Sequence, residues 1–197
     1  MRLTLVALLS LVLVGYAEAG SFKPANRDTS VRPLSAHAEK LLAEGMAGSA
    51  TFRSMVNRIE ASDVIVYVET RPDLRASVGG VMRFVTRSAS HRFLLIQVNI
   101  AQVRHVQIAM LGHELRHALE VVEQPGIRTS DDLYRYYRQQ GVRTGLGTLD
   151  SVAAQQAGYV VRHELRSSRG VRYARATPEE ERALTGASIH GDDSTSF

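Results

Sequence analysis

The sequence predicts an α+β fold, in which a short mixed or antiparallel sheet precedes a long helix and a further downstream helix. Two patterns support this prediction. Between residues 63 and 100 the chain has three short runs rich in β-branched and aromatic residues, which is typical of strands. From residue 103 onward, apolar residues recur at helical spacing. A length of 197 residues suits one well-buried domain better than two.

Two helices are predicted ahead of the first strand. The stretch "SAHAEKLLAEG" at 35–45 has the pattern of a short helix that is closed by a glycine. The next stretch spaces four apolar residues at i, i+3, i+4 and i+7, which places them on one helix face: Phe52, Met55, Val56 and Ile59.

Three strands follow in the predicted order of elements. The run "DVIVYVE" (63–69) is apolar and β-branched, and it ends at the turn signal "RPD". After a loop that ends in two glycines come "VMRFVT" (81–86) and "HRFLLIQVNI" (91–100). Because only the turn-like "RSAS" separates these two runs, we expect them to form an antiparallel hairpin.

The second half of the chain is predicted to be helical. A helix over 103–122 is apolar on two sides, so we expect it to be buried on both sides. The stretch "EQPG" (123–126) ends this helix, and "DDLYRYYRQQG" (131–141) predicts a short amphipathic one. A glycine-rich loop leads to a last long helix over 149–167.

The first 19 residues have the order of a secretory signal peptide. Arg2 precedes an apolar run over 3–14, and Ala17-Glu18-Ala19 supplies an A-x-A cleavage site. The run is shorter than the roughly 20 residues that span a bilayer. We therefore expect a protein exported to the periplasm or the medium, with cleavage after Ala19 and no membrane span in the mature chain. The mature chain is expected to comprise an N-terminal arm (20–34), a folded domain (35–176) and a disordered tail (177–197).

Composition restricts the chemistry that the chain can use. It has no cysteine, which excludes disulfides and thiolate metal sites, so any metal must be held by His, Asp or Glu. The net charge is +4. Five arginines crowd into 162–175, which predicts a solvated helix face and leaves contact with an anionic surface as the alternative. No nucleic-acid-binding motif accompanies them, so we expect no nucleic acid partner.

A duplicated tetrapeptide marks the candidate site. His-Glu-Leu-Arg stands at 113–116 and again at 163–166, but only the first copy is followed by a histidine, His117. Residues four apart leave a helix on the same face about 6 Å apart, so His113 and His117 can bind one ion. Glu114 is rotated by about 100°, which suits it to a general base rather than a ligand. The second copy, with Ser167 in place of that histidine, predicts an exposed charge cluster around Glu164.

The motif "HELRH" on a helix that follows strands resembles the zincin metallopeptidases, and the chain is also similar to small exported bacterial HExxH proteins of undefined substrate. The resemblance implies a zinc peptidase with His113 and His117 as ligands and Glu114 as the base. It implies that an extended peptide substrate lies beside strand 91–100. Because Glu120-Val121-Val122-Glu123 occupies the place of the glycine and third histidine of metzincins, a gluzincin- or aspzincin-like arrangement with a carboxylate ligand is expected. An oxyanion partner is also needed, with four candidates: Tyr134, Tyr137, Tyr159 and Arg162.

Two carboxylates compete for the place of the third ligand. Asp150 is favoured because it is expected at the start of the last helix, where it extends a face of small residues that can pack closely on the zinc helix: Ala153, Ala154, Ala157 and Val161. Glu120 shares the face of the histidines, but its backbone lies about 10 Å along the axis from that of His113. It can instead reach back to His117 and orient that ring.

A second hypothesis is that the protein binds a metal ion but has no catalytic activity. The chain would then be an exported zinc-binding scaffold that adheres to an anionic surface through its C-terminal arginines. Such a protein needs both histidines but does not need Glu114, so the two hypotheses differ at that one residue.

Overall fold

The computed structural model describes residues 29–75, 78–143 and 149–175. The expected signal peptide (1–19), residues 20–28 of the expected arm, and the tail (177–197) lie outside the described residues. Within the described residues the fold is α+β, with five helices, a mixed four-stranded sheet and a two-stranded ladder. The elements in chain order are β1 Val31–Pro33, α1 Ala36–Gly48, α2 Ala50–Glu60, β2 Val64–Arg71, β3 Gly80–Arg87, β4 Arg92–Asn99, α3 Arg104–Glu123, α4 Ser130–Gln140, β5 Val142–Arg143, β6 Leu149–Asp150 and α5 Val152–Arg175.

The large sheet has the strand order β1-β2-β4-β3. Strands β1, β2 and β4 run parallel, and β3 runs antiparallel to β4, so the predicted hairpin is confirmed. Strand β1 comes from the last residues of the expected arm. Val31 is buried there opposite Val66 of β2, so the folded part begins before residue 35.

Strand β4 lies inside the sheet, because β3 pairs along one of its edges and β2 pairs along the other. The expectation that a substrate lies beside strand 91–100 is therefore wrong. The physical reason is the composition of the two hairpin strands. Strand β4 buries Leu94, Ile96 and Val98 completely, whereas β3 exposes Arg83 and Arg87 and so occupies the edge.

Helix α3 packs on one face of this sheet and is covered by α5 on its other side, as its two-sided apolar pattern predicts. Leu111, Leu115 and Leu119 are completely buried. Burying each such leucine stabilises the fold by about 1.5–3 kcal/mol. Helix α3 is therefore held on both sides, and side chains between it and α5 have little freedom to move.

Helix α5 begins at Val152, after the two residues of β6. Ser151 acts as its N-cap, since its Oγ accepts the backbone N–H of Ala154 at 3.0 Å. Ala154 and Val161 are buried against the rest of the protein, as predicted, whereas Ala153 is exposed and does not belong to the packed face. The expectation that Asp150 lies in the first turn of this helix is therefore wrong: Asp150 precedes the helix and lies in the β5–β6 ladder, opposite Val142.

The second tetrapeptide has a structural role that the sequence did not predict. His163 is exposed, but Glu164 is half-buried and accepts hydrogen bonds from the Ser49 hydroxyl and from the N–H and hydroxyl of Thr51. Burial raises the pKa of Glu164, but these hydrogen bonds outweigh that effect and lower the pKa. The prediction of an exposed charge cluster is therefore wrong for Glu164, which joins α5 to the start of α2.

None of the helices in the described part of the chain combines the length and the apolar character that a bilayer crossing requires.

Candidate metal centre

The two histidines of α3 and the carboxylate of Asp150 converge on one point. Asp150 Oδ1 lies 3.3 Å from His113 Nε2 and 3.1 Å from His117 Nε2. The three potential ligand atoms all lie within 4.8 Å of one another. Two ligands of one tetrahedral zinc ion, each bound at about 2.0–2.1 Å, are separated by about 3.3 Å. This group could therefore hold a metal ion.

Two hydrogen bonds position the Asp150 carboxylate. Its Oδ1 accepts the backbone N–H of Ser151 at 2.7 Å, and its Oδ2 accepts the Gln155 amide at 3.2 Å. Burial opposes ionisation of Asp150, but the hydrogen bond from His117 and the positive charge of the two histidines lower its pKa. The residue thus presents an ionised carboxylate, which is the form that binds a cation.

The opposite side of the His117 ring faces Glu120. His117 Nδ1 lies 2.9 Å from Glu120 Oε2 and 2.7 Å from the Tyr137 hydroxyl, which itself donates to Glu120 at 2.8 Å. The other oxygen of Glu120 accepts the Ser151 hydroxyl at 2.5 Å. Both oxygens of Glu120 are therefore engaged away from Asp150. Glu120 thus fixes Nδ1 as a donor, while Nε2 of the protonated ring donates to Asp150, at the position where an ion would replace the proton.

The two histidines differ in their electrostatics. Burial disfavours the charged form of His117, but its hydrogen bonds to Asp150 and Glu120 outweigh this and raise its pKa to about 9. Burial and the nearby charge of His117 lower the pKa of His113. The carboxylates around His117 thus favour a positive charge at this point, and a bound metal ion would take the place of the proton.

Glu114 lies between α3 and the edge strand β3. A Cβ atom on Gly80 would lie only 2.9 Å from the Glu114 side chain, so glycine permits this close approach. The backbone of Met82 lies beside the Glu114 carboxylate and favours its ionised form. Burial raises the pKa of Glu114 to about 7, against the opposing charge of His117. A carboxyl group with this pKa can accept and return a proton near neutral pH.

A cleft of about 1470 Å³ runs over this centre. Residues of α3 form its floor, and β3 with the segment before it forms one wall. Helix α4, strand β6 and the start of α5 form the rest. Of the four oxyanion candidates, Tyr134, Tyr137 and Tyr159 line the cleft, and Tyr137 is the one bonded to His117. Arg162 is exposed on α5 and does not line the cleft among the described residues.

Three parts of this site were not predicted from the sequence: the Ser151 hydroxyl, the Met82 backbone and the position of Tyr137 beside His117. Ser151 had a detectable signal, because a serine directly before a helix is a common N-cap. Met82 and Tyr137 reach the site only through tertiary packing, so their sequence neighbours contain no comparable signal.

Comparison with protein-family models, with curated proteins and with solved structures finds no match for this chain. The resemblance to zincins therefore rests on the motif and stays a prediction. What the structure adds is the grouping of His113, His117 and Asp150 beside Glu114 in one cleft.

Replacing Gly141 by alanine is expected to weaken metal binding by about tenfold, the lower range for residues that orient ligands. A Cβ atom at Gly141 would lie 2.5 Å from the Tyr137 carbonyl oxygen and 3.1 Å from that of Asp150, so the backbone on either side must shift. Competition with a chelating dye measures the zinc affinity. Gly126→Ala is the matched control, because a Cβ there meets nothing within 4 Å. Equal affinities of the two variants would refute the positional role of Gly141.

Proposed function

We propose that this protein is an exported zinc-dependent metallopeptidase of the zincin type. The observation that supports this proposal best is the convergence of His113 Nε2, His117 Nε2 and Asp150 Oδ1 in a cleft that Glu114 also lines. Two imidazoles and one carboxylate are a ligand set found in catalytic zinc sites, which keep a further position for water or substrate. Export rests on the sequence of residues 1–19.

The residues fit a zinc ion by their chemistry. His113, His117 and Asp150 would hold the ion, and Glu120 would keep the His117 ring in the orientation and tautomer that ligation needs. When bound, zinc polarises a substrate carbonyl and makes a water molecule acidic enough to attack it near neutral pH.

The role of Glu114 follows from its position and protonation. Its carboxylate would accept a proton from the attacking water as the new C–O bond forms. It would return this proton to the amide nitrogen as the C–N bond breaks, which yields a carboxylate and an amine. The pKa of about 7 suits both transfers.

The substrate would lie along β3 rather than β4. Strand β3 is an edge strand of the sheet among the described residues, and residues 80–84 line the cleft. An extended peptide can add to such an edge through backbone hydrogen bonds. The scissile carbonyl would then lie between this strand and the floor formed by α3.

The replacement Glu114→Gln tests the proposal. The purified mature protein is expected to carry about one zinc ion per molecule. The variant should keep the metal and lose hydrolysis of a mixed peptide library by about 10²–10⁴-fold, since it can no longer accept a proton. Metal analysis and mass spectrometry of the products measure the two quantities. Glu123→Gln, a surface position on the same helix, is the control and should retain activity.

The outcomes separate the two hypotheses of function. Absence of bound metal after chelator-free purification would refute the zinc centre. Full hydrolysis by zinc-loaded Glu114→Gln would refute the assignment of the base. Zinc binding with no hydrolysis by the parent protein would favour the scaffold, for which Arg162 and Arg166 of α5 offer exposed positive charge.

A further inference from the structure

The cleft face of α4 combines an arginine with an aromatic ring. Residues 130, 133, 134, 137 and 138 line the cleft, which is the spacing of one helix face. The guanidinium carbon of Arg138 lies 5.9 Å from the centre of the Tyr134 ring, within the range of a cation–π contact. Both side chains are exposed. The ring thus limits the positions that the guanidinium can take at the wall of the cleft.

Two more arginines line the same cleft from other segments. Arg83 lies on β3, and Arg75 lies in the segment that precedes this strand. Both are exposed. Across residues 29–75, 78–143 and 149–175, no salt bridge engages Arg75, Arg83 or Arg138. Their charge is therefore not neutralised by a carboxylate from the described parts of the chain.

The acidic residues that line the cleft are already engaged. Asp73 accepts two hydrogen bonds from Arg71, Asp150 faces the two histidines, and Glu114 is buried under β3. The charges that remain available to a ligand along the described walls are thus positive. A guanidinium binds a carboxylate through two parallel hydrogen bonds, which a neutral amide cannot reproduce.

We propose that this cleft selects peptides with acidic side chains close to the residue whose carbonyl lies over the metal centre, and that Arg138 of α4 and Arg83 of β3 bind those side chains. The inference rests on the proposed peptidase function, and it adds the class of substrate. Because both arginines are exposed, each contributes a modest, salt-dependent preference rather than an absolute requirement.

A binding experiment on the zinc-loaded Glu114→Gln protein tests this selectivity without cleavage. Two short fluorescent peptides are compared, identical except that one carries glutamate at alternating positions and the other glutamine. Fluorescence anisotropy at low salt is expected to show about tenfold tighter binding of the glutamate peptide, and the difference should shrink as salt is added. Equal binding of the two peptides would overturn the proposal.

Matched arginine variants show whether the arginines of the cleft cause the preference for the glutamate peptide. The double replacement Arg83→Gln and Arg138→Gln is expected to remove most of the preference. The control is Arg87→Gln with Arg135→Gln, which removes the same charge from the same strand and helix at positions outside the cleft lining. Equal loss in both proteins would overturn the proposal, because a general charge effect would then explain the preference.

The activity of the parent protein distinguishes a failure of the proposed selectivity from a failure of the proposed peptidase function. Hydrolysis of a peptide library that depends on Glu114 but shows no preference for acidic side chains overturns the selectivity and leaves the peptidase in place. The opposite result is also possible. If the glutamate peptide is preferred, the preference disappears when Arg83 and Arg138 are replaced, and no peptide is hydrolysed in a Glu114-dependent way, then charge recognition is supported and the peptidase function is overturned.

Discussion

Replacement of Asp150 by alanine is expected to weaken zinc binding by more than about 100-fold, which exceeds the usual effect of residues that only orient a ligand. Asp150 Oδ1 lies within 3.3 Å of both histidine Nε2 atoms, so its loss would remove a negatively charged ligand and leave two neutral imidazoles. Competition with a chelator of known affinity measures the change. Thermal unfolding of the metal-free variant shows whether the fold is intact.

The matched variant is Glu120→Ala. Glu120 contacts His117 through Nδ1 and is bonded to Ser151 and Tyr137, so its removal should loosen the ring without removing a ligand. We expect a loss of about 10–100-fold in affinity. If Asp150→Ala binds zinc like the parent while Glu120→Ala does not, the assignment of the ligand is wrong.

Replacement of Arg92 by methionine is expected to lower the free energy of unfolding by about 3 kcal/mol, near the lower end for a broken buried ion pair. Arg92 binds both oxygens of Asp63, and its Nη1 donates to the carbonyl oxygens of Val121, Gln124 and Ile127. Its side chain is 7% exposed, whereas that of Asp63 is 48% exposed. Water can therefore solvate the carboxylate left behind, but the buried carbonyl groups lose their donor.

Urea denaturation measures this change, and Arg58→Met is the control. Arg58 also binds at the end of α3, through Glu123, but its side chain is 53% exposed. An exposed pair of this kind contributes about 0–1 kcal/mol. If the two variants are destabilised to the same extent, the contacts of Arg92 with the carbonyls at the end of α3 and in the segment after it do not contribute as proposed.

Much of the fold could be predicted from local patterns. The helix with both histidines, strand β2 and the β3–β4 hairpin follow from the spacing of apolar residues over short windows. The order of the strands could not be predicted in this way, because the insertion of β4 between β2 and β3 depends on pairing across the chain. Strand β1 was missed for the same reason: three residues carry no periodicity, and only the pairing with β2 makes them a strand.

The residues of the candidate site also differ in whether local sequence patterns could predict them. His113 and His117 are four residues apart on one helix, so their proximity follows from helix geometry alone. Asp150 could be named only by assuming that α5 packs closely on α3. The role of Glu164 was out of reach, because it depends on where the start of α2 lies in space.

The bond from the Ser151 hydroxyl to Glu120 connects two segments that each carry a candidate metal ligand. Ser151 is the neighbour of Asp150, and Glu120 is hydrogen-bonded to His117. These contacts form a continuous hydrogen-bond network that joins α3 to the start of α5. The conformational entropy of bringing the candidate ligands together is therefore lost during folding, and would not be lost when a metal ion binds. A site that is preorganised in this way stands in contrast to zinc fingers, whose chains fold only around the ion. Metal removal should leave the architecture of this domain in place, with the histidines and the carboxylate still facing one another.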